Sequence, residues 1–159
     1  MIPSKMERTF REDLEEGKNL EKKIFKYLQR KYPRIEHITS YFKSFDLYDP
    51  ETNISWEIKG DFESQNTKNI IIEVDMPPSM PSALKTTGAT YWLIDTGIYL
   101  YQITPLLIWQ CIAENSKEIE YRESMTGKGD TTPKNAYLIP ILIFENYITQ
   151  KIESSKLNP

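Results

Sequence analysis

The sequence predicts an α/β protein, a sandwich with a mixed central β-sheet flanked by helices. Three observations predict the α/β class. An early segment repeats its apolar residues with the 3.6-residue period of a helix, a second alternates apolar and polar residues, and two short apolar runs follow later. The order of helix, three strands, crossover, two strands and helices is that of an α/β sandwich with a mixed sheet. At 159 residues and 39% hydrophobic content, the chain has material for one domain, 1–159, with one core.

Residues 9–31 read as an amphipathic helix. At 100° per residue, Phe10, Leu14, Gly17, Leu20, Ile24, Phe25 and Leu28 fall in one arc. Lys18, Lys22, Lys23, Lys26 and Arg30 lie opposite, on a solvated face shared with Glu12, Glu15 and Glu16, and Pro33 ends the helix. Glu21 falls inside the apolar arc, between Leu28 and Leu14. A carboxylate there is costly unless it is paired or binds a metal. Two readings stand: a site residue, or a polar group at the edge of the buried stripe.

The most informative stretch is 45–61, a hairpin. Side chains alternate along a strand, so Ile54, Trp56 and Ile58 share one face while Ser55, Glu57, Lys59 and Asp61 share the other. Phe45 and Leu47 must join the apolar face, which restricts the turn to an even length. A four-residue loop, 50–53, sets Tyr48 opposite Ser55 and Asp46 opposite Glu57. Opposed Cβ atoms lie about 5 Å apart, and Lys59 falls about 7 Å further along that face. Two carboxylates this close repel unless a cation sits between them. Clustered carboxylate oxygens suit Mg²⁺ or Mn²⁺, and the neighbouring lysine suits charge stabilisation or the orientation of a water. The alternative is a solvated hairpin face with a surface Lys–Glu pair. Asp49, at the turn beside Pro50, competes with Asp46 for the ligand role. Relief of repulsion also predicts that removing Asp46 or Glu57 spares the stability of the metal-free protein.

Beyond the hairpin, Asn69-Ile70-Ile71-Ile72-Glu73-Val74-Asp75 reads as a strand at the centre of a sheet covered on both faces. Three prolines in 76–81 predict irregular structure, and 82–89 starts as a short helix. Tyr91-Trp92-Leu93-Ile94 and 98–103 form a second hairpin around Asp95-Thr96-Gly97. Pro105 opens a helix to about Ala113. Residues 114–133 are polar and predict a long surface loop, 137–142 an apolar closing segment, and 154–159 a frayed, flexible tail.

Composition narrows the function. A formal net charge of −3 lacks the strongly basic balance of many nucleic-acid binders, so such binding must rest on a local patch plus bound metal. Cys111 is the only cysteine and His37 the only histidine, which excludes an internal disulfide and a Cys/His zinc set. No apolar run is long enough to span a membrane and no signal-peptide pattern opens the chain, so a cytoplasmic location is expected.

The order helix Glu21, hairpin Asp46, then Glu57-Ile58-Lys59 resembles the PD-(D/E)XK nuclease superfamily, and within it small single-domain phage and prokaryotic nucleases. Glu57-Ile58-Lys59-Gly60-Asp61 is similar to their Glu-Val-Lys-X-Asp strand, and Thr67-Lys68-Asn69-Ile70-Ile71-Ile72-Glu73 to their Thr-Gly-Asn strand ending in Glu. Residues 82–92 resemble the segment before a Tyr-Trp strand. Gly129-Asp130 with Tyr137-Leu138-Ile139-Pro140 resembles a late Gly-Asp loop followed by Tyr-Leu-Ile-Pro. Phe45 stands where the family name has proline. The resemblance, spanning 17–140, implies a restriction-endonuclease-like core with Asp46, Glu57 and Glu21 as metal ligands and Lys59 as the catalytic lysine, and for a viral member the cytoplasm of the host cell. It implies an Mg²⁺- or Mn²⁺-dependent deoxyribonuclease in phage or prokaryotic DNA processing, recombination or repair, with DNA as partner and a homodimer as one assembly. The alternatives are a non-catalytic nucleic-acid-binding module and a structural subunit of a DNA-processing assembly with contacts through Trp56, Trp109 and the Pro77-Pro78 loop.

Overall fold

The helical period of the first residues becomes α1, Lys5–Gln29, in a computed structural model that describes residues 5–40, 43–126 and 132–158, with side chains from Glu15 onward. The Phe10 and Leu14 side chains and the Gly129-Asp130 motif lie outside the described residues. Helix α1 stops short of Pro33, where the Lys31 and Tyr32 amides both close on the Leu28 carbonyl. Leu20 and Ile24 are buried in the predicted arc, and Phe25 and Leu28 pack beside them.

A six-stranded sheet lies under this helix. It contains β1 Glu36–His37, β2 Leu47–Asp49, β3 Ile54–Gly60, β6 Tyr91–Asp95, β7 Tyr99–Ile103 and β10 Gln150–Glu153, in the spatial order β1-β2-β3-β6-β7-β10. All of its neighbouring pairs are antiparallel except β3 and β6. Parallel neighbours need a long crossover, and here the crossover builds a second sheet on its way. After α2, Ser64–Thr67, come β4 Asn69–Met76 and β5 Met80–Pro81. With β8 Glu120–Met125 and β9 Lys134–Pro140 they form an antiparallel sheet ordered β5-β4-β9-β8.

Alternation along the strands of the first sheet divides the interior in two. On one face Leu47, Trp56, Ile58, Leu93 and Leu100 meet Leu20 and Ile24 of α1. On the other, Trp92, Ile94, Tyr101 and Ile103 meet Ile70, Ile72, Val74 and Ile139 of the second sheet, with Ile108, Cys111 and Ile112 of helix α3, Pro105–Glu114, and Phe144 of helix α4, Ile141–Phe144. Each such fully buried aliphatic side chain stabilises the fold by about 1.5–3 kcal/mol. Helix α3 begins as the sequence predicts, with Pro105 in the first turn and the Thr104 hydroxyl accepting from the Leu107 amide at 3.1 Å.

The α/β class therefore holds, with two sheets where one was expected. Strand β4 belongs to the second sheet, because a run such as Ile70-Ile71-Ile72 is equally suited to any doubly covered strand. Three further expectations are corrected. Met80–Pro81 folds back on β4 as a short edge strand, a position that tolerates Pro81 because no ladder amide is required of it. Residues 120–125 are a strand, β8, at the edge of the second sheet. The 154–158 segment is seated: Ser154–Leu157 makes a 3-10 turn, Leu157 is buried beneath α1, and the Ser154 hydroxyl donates to Asp95 Oδ1 at 2.6 Å. Among the described residues no helix is long and apolar enough to cross a membrane.

Candidate functional site

Strands β2 and β3 pair as Tyr48 with Ser55 and Asp49 with Ile54, so the loop is 50–53 as read from the sequence. Asp49 closes that loop. Its Oδ2 accepts from the Thr52 amide at 3.1 Å and from the Thr52 hydroxyl, while Asn53 takes the left-handed conformation with φ 61°. Local hydrogen bonding of this kind is what an aspartate does in a tight turn. Those bonds engage Oδ2 alone, and among the described residues the buried Oδ1 of Asp49 has no hydrogen-bond partner.

The ladder ends one rung short of Glu57. Leu47 pairs with Trp56, but the Asp46 amide also donates to the Trp56 carbonyl at 2.8 Å, and the Asp46 carbonyl accepts from Ile38 at 2.8 Å. Two successive residues thus oppose one, as in a β-bulge. The consequence falls on the side chain. Asp46 Oδ2 accepts the Ile58 amide at 2.7 Å, standing in for the carbonyl that a continued β2 would have offered. The expected direct opposition of Asp46 and Glu57 is corrected accordingly: Asp46 lies along the open edge of β3, while Glu57 projects from its face beside Trp92, its register partner on β6.

The two acids remain within each other's field. Burial pushes the Glu57 carboxyl above its ordinary range; Lys59 pulls it down, and the Asp46 charge adds to the rise. Lys59 Nζ is 3.5 Å from Glu57 Oε1 and 5.6 Å from the centre of the Trp92 ring. The lysine therefore pairs with its own strand's acid over an aromatic surface.

A group missed from the sequence stands at the centre. Lys43 Nζ lies 2.6 Å from Asp46 Oδ1 and 3.8 Å from Glu21 Oε1. Glu21 Oε2 is in turn 2.7 Å from His37 Nε2 on β1. Burial acts to lower the Lys43 pKa, but its hydrogen bond to Asp46 and the charges of Asp46, Glu21 and Glu57 together raise it. Helix α1, the segment before β2, and β3 each deliver one carboxylate to the surroundings of this ammonium. The sequence signal for Lys43 was its i, i+3 spacing from Asp46; for His37 it was only its being the sole histidine.

Carboxylate oxygens are the donors that Mg²⁺ and Mn²⁺ take, so the residues fit such an ion in kind. In arrangement, the positive charge they surround belongs to Lys43. Among the described residues no group of three or more His, Cys, Asp or Glu side chains is close enough together to hold a metal. Glu73, the acid that ends the apolar run of β4, sits in the second sheet, where its charge acts on Asp61. A groove of about 1010 Å³ lies elsewhere, between α1 and the carboxyl ends of β3 and β6, lined by Asp61, Asp95, Gly60, Gly97 and Lys23 among others. Glu21, Asp46, Glu57 and Lys59 do not line it.

No protein-family model, no curated protein and no solved structure matches the chain.

Proposed function

We propose that the chain is a metal-dependent nuclease of the PD-(D/E)XK type that hydrolyses phosphodiester bonds in DNA. One observation carries the reading: Glu21 and Asp46, from separate elements, both pair with the Lys43 ammonium, and Glu57 of a third element, paired with Lys59, lies within the field of that charge. A fold that served stability alone would keep like charges apart, since mutual repulsion and desolvation disfavour each of them.

Asp46 and Glu57 would hold the metal, with Glu21 reaching in from α1. Mg²⁺ or Mn²⁺ bound there supplies a water of lowered pKa and positive charge at the scissile phosphate. Asp46 is fixed in advance by the Ile58 amide, which limits the reorganisation asked of it. Lys59, exposed over part of its length, would present its ammonium to the negative charge that grows on the phosphoryl oxygens.

The test is incubation of purified protein with linear, nicked, branched and circular DNA in Mg²⁺ or Mn²⁺, with a chelator control. Cleavage that requires the metal supports the reading. A second reading is favoured by the state of Asp46, both of whose oxygens are already engaged. In it the cluster is an ion-pair knot of a nucleic-acid-binding module. Salt-sensitive DNA binding without cleavage would select it.

A further inference from the structure

The Lys43 ammonium is seated among acids contributed by three elements, on the one oxygen of Asp46 that the fold leaves for a ligand. Asp46 is 4% exposed, and its Oδ2 is held by the Ile58 amide at 2.7 Å. Oδ1 is left to face the cluster, and Lys43 Nζ holds it at 2.6 Å while reaching Glu21 Oε1 at 3.8 Å. We propose that Lys43 is a built-in counter-cation that a divalent metal must displace, so that its departure sets the metal concentration at which the site fills. The inference rests on the reading of Glu21, Asp46 and Glu57 as metal ligands.

The geometry makes the two cations competitors. A metal oxygen bond to Asp46 Oδ1, about 2.0–2.1 Å for Mg²⁺, would bring two positive charges onto one carboxylate oxygen. Coulomb repulsion at such separations is severe even with strong screening. Lys43 can yield. Its side chain is 30% exposed and hangs on a flexible four-carbon stem from the segment leading into β2, so its head can swing into water. Until then it offsets the repulsion among the three acids, the task the metal takes over on binding. Lys59 does not share the role, because its ion pair is with Glu57 and it approaches neither Asp46 nor Glu21 within ion-pair distance among the described contacts.

The experiment uses the full chain, MnCl₂ and no DNA. Mn²⁺ affinity is measured by calorimetric titration and by paramagnetic resonance of free Mn²⁺ for the parent, Lys43→Met and Lys43→Arg. The expected result is Mn²⁺ binding at least about tenfold tighter in Lys43→Met, a lower melting temperature for that variant without metal, and near-parental affinity in Lys43→Arg. A second measurement needs no variant: amine acetylation of the parent, read by mass spectrometry, should rise at Lys43 on adding Mn²⁺ and stay level at Lys68, an exposed lysine on α2's far end. Parental Mn²⁺ binding with unchanged Lys43 labelling, or with Lys43→Met affinity within twofold of the parent, overturns the counter-cation while leaving the metal site standing. Absence of Mn²⁺ binding in the parent and in Lys43→Met overturns the metal site and the counter-cation together.

Discussion

The Asp46 carboxylate and the Ile58 amide are joined by a 2.7 Å hydrogen bond that substitutes a side chain for a missing strand. The carboxylate is therefore both a candidate ligand and a piece of the β3 edge, and the two roles separate under substitution. Asp46→Ala leaves the Ile58 amide without its acceptor, which costs about 1–3 kcal/mol. At about 2–4 °C per kcal/mol for a domain of this size, the melting temperature drops measurably. Asp46→Asn keeps an acceptor oxygen for the Ile58 amide but turns its NH2 toward the Lys43 ammonium, so it should melt between the alanine variant and the parent yet fail to cleave DNA. Equal melting of the alanine and asparagine variants would contradict the anchoring role. The expectation of unharmed stability on removing Asp46, drawn from charge repulsion alone, is replaced by this one.

Lys59→Ala should slow turnover by about 10² or more, the scale of losing one positioned electrostatic stabiliser. It should leave Mn²⁺ affinity nearly intact, because the lysine supplies no ligand oxygen. Single-turnover cleavage alongside Mn²⁺ titration checks both halves. A parental rate would reduce Lys59 to a surface ion pair with Glu57.

Glu21 separates a site residue from a tolerated acid. Glu21→Leu extends the apolar arc of Leu20 and Ile24 but strips a partner from His37 and from Lys43. Under the metal reading it abolishes cleavage and shrinks the Mn²⁺-induced rise in melting temperature, and Glu21→Gln weakens both to a lesser degree. Thermal melts with and without Mn²⁺ decide it. Full activity with an undiminished Mn²⁺ shift in the leucine variant would take Glu21 out of the site.

Asp61 gives a pH signature independent of the metal. Burial pushes its carboxyl above the ordinary range, against the opposing pull of the Ile71 and Ser64 amides. A folded-state pKa raised above the unfolded value near 3.8 means that this group's contribution is fully present below that value and is lost as pH rises through the folded one. Asp61→Asn retains an acceptor for Ile71, which Asp61 Oδ2 holds at 2.9 Å. The variant should therefore be more stable than the parent near neutral pH, with the gap closing as pH falls toward 3.8. Denaturant melts across that interval measure it, and a gap that widened in acid would reverse the assignment.

Local patterning was legible wherever an element's neighbours left their mark on it. The arc of Leu20 and Ile24, the alternation of Trp56 and Ile58, and the Tyr48–Ser55 register were each readable because period and turn length determine them. The bulge at Asp46 was not, since it depends on Ile38 drawing the Asp46 carbonyl away from the hairpin, a contact between distant segments. Strand β8 was hidden because nearly all of its residues are exposed and carry no apolar alternation. Lys43 was passed over for a similar reason: a single lysine before a strand looks solvated until the acids of α1 and β3 are placed around it.

The small core under α1 is assembled from residues as early as Leu20 and as late as Leu157. On a chain emerging from the ribosome, the apolar stripe of α1 cannot be fully covered until Leu157, far along the chain from Leu20, has followed it. Contacts of such sequence separation slow folding and prolong the exposure of hydrophobic surface. The acids of the cluster wait with it: Glu21 rides on α1, and the β3 edge that anchors Asp46 lies against the same core. The site and the domain should thus mature together, late and in one step.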